Sequence, residues 1–327
     1  MKNISLPKNI FFFFVVILSI AISLSSNSFL GIWMGLELNL SAFIPLFIIK
    51  ESKKVETSLM IFFLIQSVTS LLMLFSVTIL TILPFLKSLI TKILFFSIFF
   101  KMGIFPFHFW VMKIFENLSW HNCFIFSTIQ KVIPLSLFIV MKPKAVLILM
   151  CIFNSIGASL SGLNQFSVRK IMAFSSINHL TFMTISSILS KFILKIYFLM
   201  YFFTSFFTFM SLKEFNLNYI FQMFSNLKKQ KMINMSFIVL MISLAGVPPF
   251  LGFFPKLLII FKMITFKFLI SGMIMIFSNI TATFFYLRLS ISLIFMNMNC
   301  LKSKKEKKLG NNFFIFLIIL LPIFFFF

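Results

Sequence analysis

Four charged side chains lie inside or beside long apolar runs of this sequence: Glu37, Lys101, Lys131 and Lys256. A charge at mid-membrane depth costs roughly 2.5–3.5 kcal/mol or more, so it turns towards protein or water and tends to mark an ion or proton path. One carboxylate and three amines can exchange protons. Burial disfavours the charged form of each, and a partner of opposite sign favours it, so a Glu–Lys pair can be balanced to switch.

Each residue also has a plainer reading. Glu37 sits in Trp33-Met34-Gly35-Leu36-Glu37-Leu38-Asn39 and is the one acidic residue deep in an apolar run. It could serve as an interhelical hydrogen-bonding carboxyl. Lys101 ends an apolar run and could snorkel to the interface. Lys131, in Ser127-Thr128-Ile129-Gln130-Lys131-Val132-Ile133-Pro134, lies mid-span beside polar Thr128 and Gln130, from where snorkelling is harder. His179, in Ser175-Ser176-Ile177-Asn178-His179, is a weaker fifth candidate: its imidazole could relay protons or simply bond a neighbouring Ser or Asn. His108 is expected to fix a local break, and His121 to sit at an interface.

Lys101 and Lys256 both adjoin helix breakers. Lys101 precedes Met102-Gly103-Ile104-Phe105-Pro106-Phe107-His108-Phe109-Trp110, and Lys256 follows Ala245-Gly246-Val247-Pro248-Pro249-Phe250-Leu251-Gly252-Phe253-Phe254-Pro255. A break within the membrane frees backbone groups and is tolerated only where protein or water satisfies them. Two Gly/Pro-interrupted spans, one per half of the chain, are the sequence mark of inverted-repeat transporters with mid-membrane sites.

The elements that must position these residues are transmembrane helices. Eleven apolar segments are each roughly long enough to cross about 30 Å of hydrocarbon: 10–26, 28–49, 57–80, 87–104, 120–141, 144–162, 170–189, 193–212, 233–262, 266–288 and 311–327. The expected fold is an all-α integral membrane protein of about eleven transmembrane helices, two of them discontinuous. It is one polytopic domain over 1–327, with breaks near 101–110 and 245–256. The first segment follows Lys2 and Lys8 as a signal peptide would, but Ser-Leu-Ser-Ser-Asn-Ser is a poor cleavage site, so a retained helix is expected.

Bulk composition agrees. The 327 residues are 61% hydrophobic and only 11% charged, where a soluble domain is about a quarter charged. The net charge of +23 does not indicate a nucleic-acid partner, because the lysines fall between apolar runs and not on one water-exposed face. Lys50/Lys53/Lys54, Arg169/Lys170, Lys228/Lys229/Lys231 and Lys302/Lys304/Lys305/Lys307/Lys308 occupy loops that alternating spans put on one side. By the positive-inside rule that side is the matrix (or a bacterial cytoplasm), with the N-terminus on it. Abundant Phe, Lys, Ile, Asn and Met point to an AT-rich mitochondrial gene, which frequent ATA codons at the Met positions would bear out. Cys123, Cys151 and Cys300 and the three His show no metal-ligand spacing, so no cofactor or metal is expected in this chain.

The run Lys101-Met-Gly-Ile-Phe-Pro-Phe-His-Phe-Trp110 resembles the subunit 2 family of mitochondrial NADH–ubiquinone oxidoreductase (respiratory complex I). Gly35-Leu-Glu37-Leu-Asn39, Gln130-Lys131-Val-Ile-Pro134, Ser175-Ser-Ile-Asn-His179 and Gly246-Val-Pro-Pro-Phe-Leu-Gly-Phe-Phe-Pro-Lys256 match in the same order. The resemblance implies an antiporter-like membrane-arm subunit with inverted repeats and a hydrophilic axis of Glu37, Lys101, Lys131 and Lys256, with His179 as a weaker member. It implies electron transfer from NADH to ubiquinone on partner subunits, which hold FMN and iron–sulfur clusters, coupled to proton translocation across the mitochondrial inner membrane. Its expected partners are the other membrane-arm subunits, including neighbouring antiporter-like ones, and phospholipids. Two other readings stand beside it: a free-standing cation/proton antiporter subunit, and a structural scaffold that does not pump.

Overall fold

A computed structural model describes residues 5–47, 53–83, 85, 87–141, 144–222 and 231–299. Among them the chain forms twelve helices, and the one extended pairing is an isolated bridge between Ser167 and Tyr219. Seven helices are long and apolar enough to cross a membrane. The expected eleventh span, 311–327, lies outside the described residues, as do Lys50, Lys228, Lys229 and the 302–308 lysines.

The chain divides into two compact units, Met1–Met141 and Lys142–Phe327. The first holds α1 (Ser5–Ser25), α2 (Phe29–Phe47), α3 (Lys53–Ile82), α4 (Lys87–Met102), α5 (Phe109–Asn117) and α6 (Trp120–Met141). α1 lies along α2, α3 packs on α2, α4 and α5, and α6 packs on α1, α2 and α4. Small residues let α1 and α2 approach closely: a Cβ on Gly35 would stand 2.7 Å from Ser23 Cβ and 2.9 Å from the Ser19 carbonyl. Phe43, Phe62, Trp110 and Phe126 cluster between α2, α3, α5 and α6, with the Phe62 and Trp110 rings 6.2 Å apart. That cluster holds α5 in place after the break.

The second unit holds α7 (Lys144–Leu163), α8 (Val168–Leu189), α9 (Lys191–Phe215), α10 (Lys231–Ala245), α11 (Phe253–Thr265) and α12 (Leu269–Asn299). α7, α9, α11 and α12 all pack on α8, and α8 is buried from Ile171 to Ser187. A helix so enclosed meets no lipid, so it can carry Ser175, Ser176, Asn178, His179, Thr181, Thr184, Ser186 and Ser187. Its hydroxyls bond carbonyls three residues back, as Ser175 does to Met172 (2.7 Å) and Ser187 to Thr184 (2.6 Å). The outer helices instead present apolar side chains such as Leu64, Leu71, Phe153, Leu199, Ile270 and Phe277.

The ninth expected segment is the pair α10–α11, and the fourth continues past its break as α5. The tenth differs at its end. It was expected to stop at Arg288, but α12 runs on to Asn299. Arg288 turns inward and donates to the carbonyls of Leu163 (2.9 Å) and Gln165 (2.8 Å), capping the end of α7. Lys53 and Lys54 lie not in a loop but at the start of α3, and Arg169 and Lys170 lie in the first turn of α8.

Candidate functional site: two broken helices and their buried charges

Both breaks are built by the same backbone device. α4 closes with Gly103 in the left-handed region (φ +67°). There Gly103 N–H donates to Phe100 (3.1 Å) and Ile104 N–H to Phe99 (3.2 Å). α10 closes with Gly246 (φ +76°), its N–H donating to Ser243 (3.1 Å) and Val247 N–H reaching Ile242 (3.5 Å). Each turn reads Gly-aliphatic-x-Pro-Phe: Gly103-Ile-Phe-Pro-Phe107 and Gly246-Val-Pro-Pro-Phe250. Only glycine takes this conformation without strain, and the returning N–H groups satisfy carbonyls that the ended helix leaves open.

The lysines sit differently at the two breaks. Lys101 lies in the last turn of α4, before its glycine. Its carbonyl accepts from Gln66 Nε2 on α3 (3.2 Å), and its ammonium is buried with no hydrogen-bond partner among the described residues. Glu37, half-buried on α2, is near enough to act on that ammonium electrostatically. Lys101 therefore does not snorkel. Lys256 lies after its glycine, in the first turn of α11, and its side chain reaches back across the break. Nζ donates to the carbonyls of Leu244 (3.2 Å) and Ala245 (2.9 Å) and to Asn279 Oδ1 on α12 (2.7 Å). It also stands 5.6 Å from the centre of the Phe182 ring. The ammonium thus occupies the negative end of α10, where open carbonyls and the helix dipole favour a cation.

Lys131 is buried in α6 of the first unit. Its neighbour Gln130 forms a reciprocal amide pair with Asn39 of α2: Asn39 Nδ2 donates to Gln130 Oε1 (3.1 Å), and Gln130 Nε2 donates to Asn39 Oδ1 (3.0 Å). Asn39 is two residues from Glu37, so this clamp fixes the carboxylate-bearing helix against the Lys131-bearing one. Interhelical hydrogen bonds in membranes average about 0.6 kcal/mol, whereas an orphaned buried amide costs about 1–3 kcal/mol. Asn39→Leu or Gln130→Leu alone should therefore lower thermal stability in detergent more than the double Asn39→Leu/Gln130→Leu variant does. A double variant worse than both singles would show that the pair is not coupled.

His179 is buried in α8, with Nδ1 2.8 Å from Tyr197 Oη and its ring 4.9 Å from that of Tyr201. Tyr197 lies on α9, so this contact ties α8 to α9. His108 is held at the break, with Nδ1 3.1 Å from the Pro106 carbonyl and its ring stacked 4.7 Å from Phe105. His121 is exposed. Glu37, Lys101 and Lys131 thus share the first unit, and His179 and Lys256 the second. Sequence reasoning missed Gln66, Tyr197 and Asn279. A lone polar residue inside an apolar helical run was the only available signal for Gln66 and Asn279. Among the described residues no three His, Cys, Asp or Glu side chains gather as a metal site.

Two discontinuous helices, each with a lysine at its break, inside an all-helical membrane bundle define an antiporter-type membrane subunit. Residues 26–285 match the family described as NADH:quinone oxidoreductase/Mrp antiporter, TM. The fold is similar to that of a chain in respiratory complex I from Thermus thermophilus with bound aureothin, with a TM-score of 0.82 and 16% identity over 97% of this chain and 76% of that one. It is also similar to a chain in the Mrp complex from Dietzia, with a TM-score of 0.73 and 15% identity over 84% of this chain and 58% of that one. NADH-ubiquinone oxidoreductase chain 2 of Anopheles gambiae is 37% identical over 321 residues, covering 96% of this chain and 92% of its own length. The Locusta migratoria protein of the same name is 31% identical over 296 residues, covering 88% and 86%. The chain belongs to the NADH-ubiquinone oxidoreductase chain 2 family.

Proposed function

We propose that this chain is a membrane-arm subunit of the NADH:ubiquinone oxidoreductase of the mitochondrial inner membrane, and that it carries protons through its buried Glu and Lys groups. Electron transfer takes place on partner subunits, which hold the flavin, the iron–sulfur clusters and the quinone; this chain supplies no redox centre. The observation that carries the reading is the buried ammonium of Lys101, which has no hydrogen-bond partner among the described residues and lies in the field of Glu37. In a low-dielectric interior two opposite charges interact strongly, so a small change in the Glu37–Lys101 separation has a large electrostatic effect.

The mechanism follows from that sensitivity. When Glu37 and Lys101 close, each stabilises the other's charge. When a redox event on a partner subunit draws them apart, the ammonium is left unpaired and gives up its proton towards Lys131. His179 and Lys256 serve the second half of the route, with Lys256 as the gate. The Lys-rich segments of the sequence favour the matrix side for the N-terminus. The membrane-arm neighbours cover part of the apolar outer surface, and phospholipid covers the rest.

Glu37→Gln and Lys131→Met test the relay. Each is expected to lower both the NADH:ubiquinone rate and the proton-to-electron ratio of native vesicles, while the chain still runs in the large NADH-oxidising band of a native gel. Wild-type values for both variants would refute the relay. If the unsubstituted chain runs only in smaller bands without NADH activity, it acts as a free-standing antiporter.

A further inference from the structure

Asn279 has no role in the relay described above, yet it makes the shortest of the three hydrogen bonds to Lys256, at 2.7 Å. We propose that Asn279 is a positioning residue whose side-chain amide turns over as Lys256 changes protonation state, so that the gate is fully hydrogen-bonded with or without its proton. This deepens the proposed function and rests on Lys256 being a proton station.

A lysine ammonium has three N–H donors and no acceptor. The three bonds to Leu244 O, Ala245 O and Asn279 Oδ1 use all three donors. A neutral amine has two N–H groups and one lone pair. After proton loss it can satisfy two acceptors, and the third would face a lone pair. The Leu244 and Ala245 carbonyls belong to the last turn of α10 and can only accept. Asn279 alone can change sign: rotating its terminal amide replaces Oδ1 with Nδ2–H, which donates to the lone pair.

The proton that leaves passes to the next acceptor of the relay. The two remaining N–H groups keep the α10 carbonyls capped, and no backbone need move. Gly246 enforces the close fit, since a Cβ there would stand 2.9 Å from Lys256 Nζ. Asn279 lies near the middle of the apolar span Leu269–Ile291, where bulk water is not at hand to exchange for a lost partner.

The test uses the native complex in membrane vesicles, with proton translocation measured per assembled complex. Asn279→Leu removes the amide at similar size, and Asn279→Asp keeps the shape but pins the ammonium with an acceptor-only carboxylate. Each should lower proton translocation by about tenfold or more, the loss expected from a hydrogen bond to a charged group. Asn279→Gln keeps an amide and should restore most of it. The redox-induced infrared difference spectrum should show a side-chain amide band in wild type that is missing in the Leu and Asp variants. Wild-type translocation by the Leu or Asp variant overturns the proposal, as does a Gln variant that assembles normally and fails like Leu. Lys256→Met is the control. If it too translocates normally, the relay reading itself fails; if it fails while Asn279→Leu does not, only the role of Asn279 is lost.

Discussion

Gly252→Ala should remove most of this chain from the membrane, to less than about a tenth of the wild-type amount, although it adds a single methyl group. Gly252 has an ordinary backbone conformation (φ −68°), so torsional strain is not the cause. The cause is contact: a Cβ at this position would fall onto the backbone carbonyl oxygen of Ser243 in α10. A side chain could rotate away, but a helix carbonyl cannot. Relief would require α10 and α11 to part, and with them the seat of Lys256. Overpacking a close-packed site costs about 1–3 kcal/mol and more where backbone must shift. Gly272→Ala on α12 is the matched control: its nearest new contact is Met263 Cβ at 4.0 Å. There Ala should be tolerated, with up to about 1 kcal/mol gained from helix propensity. Quantitative immunoblotting of membranes compares the two. A Gly252→Ala chain that accumulates like Gly272→Ala would contradict the described packing of the break.

The residues legible in the sequence were those that violate the local pattern. Lys101, Lys131, Lys256 and Glu37 stand out because a charge in an apolar run has few structural reasons to be there. The breaks were legible because Gly and Pro interrupt helices at short range, whatever the tertiary fold. What these residues touch was not legible. Lys256 bonds Asn279, twenty-three positions away, and Asn39 bonds Gln130, ninety-one positions away. No periodicity announces such a pair. Asn39 and Gln130 appeared in the sequence only as letters within motifs, and their coupling is a property of helix packing. Arg288 makes the same point, since its partners, the carbonyls of Leu163 and Gln165, lie 125 and 123 positions away. α8 carries many polar residues yet is the most enclosed helix, because the neighbours that shield it lie elsewhere in the sequence.

Replacing Lys256 has the second large expected effect, and two variants separate its structural part from its chemical one. Lys256→Met deletes the charge and leaves the Leu244 and Ala245 carbonyls without their ammonium. Each orphaned carbonyl costs about 1–3 kcal/mol, so the variant should accumulate poorly and translocate poorly. Lys256→Arg keeps a permanent cation and ample N–H donors for the same three acceptors, but a guanidinium does not release its proton. It should retain more of the assembled complex than Met does, yet be equally unable to pass protons. The decisive measurement is therefore the number of protons translocated per NADH oxidised, in vesicles holding assembled complex with Lys256→Arg. The expected result is a ratio well below wild type at comparable assembly. A wild-type ratio would contradict it, because a lysine that can be replaced by a permanent cation carries no proton.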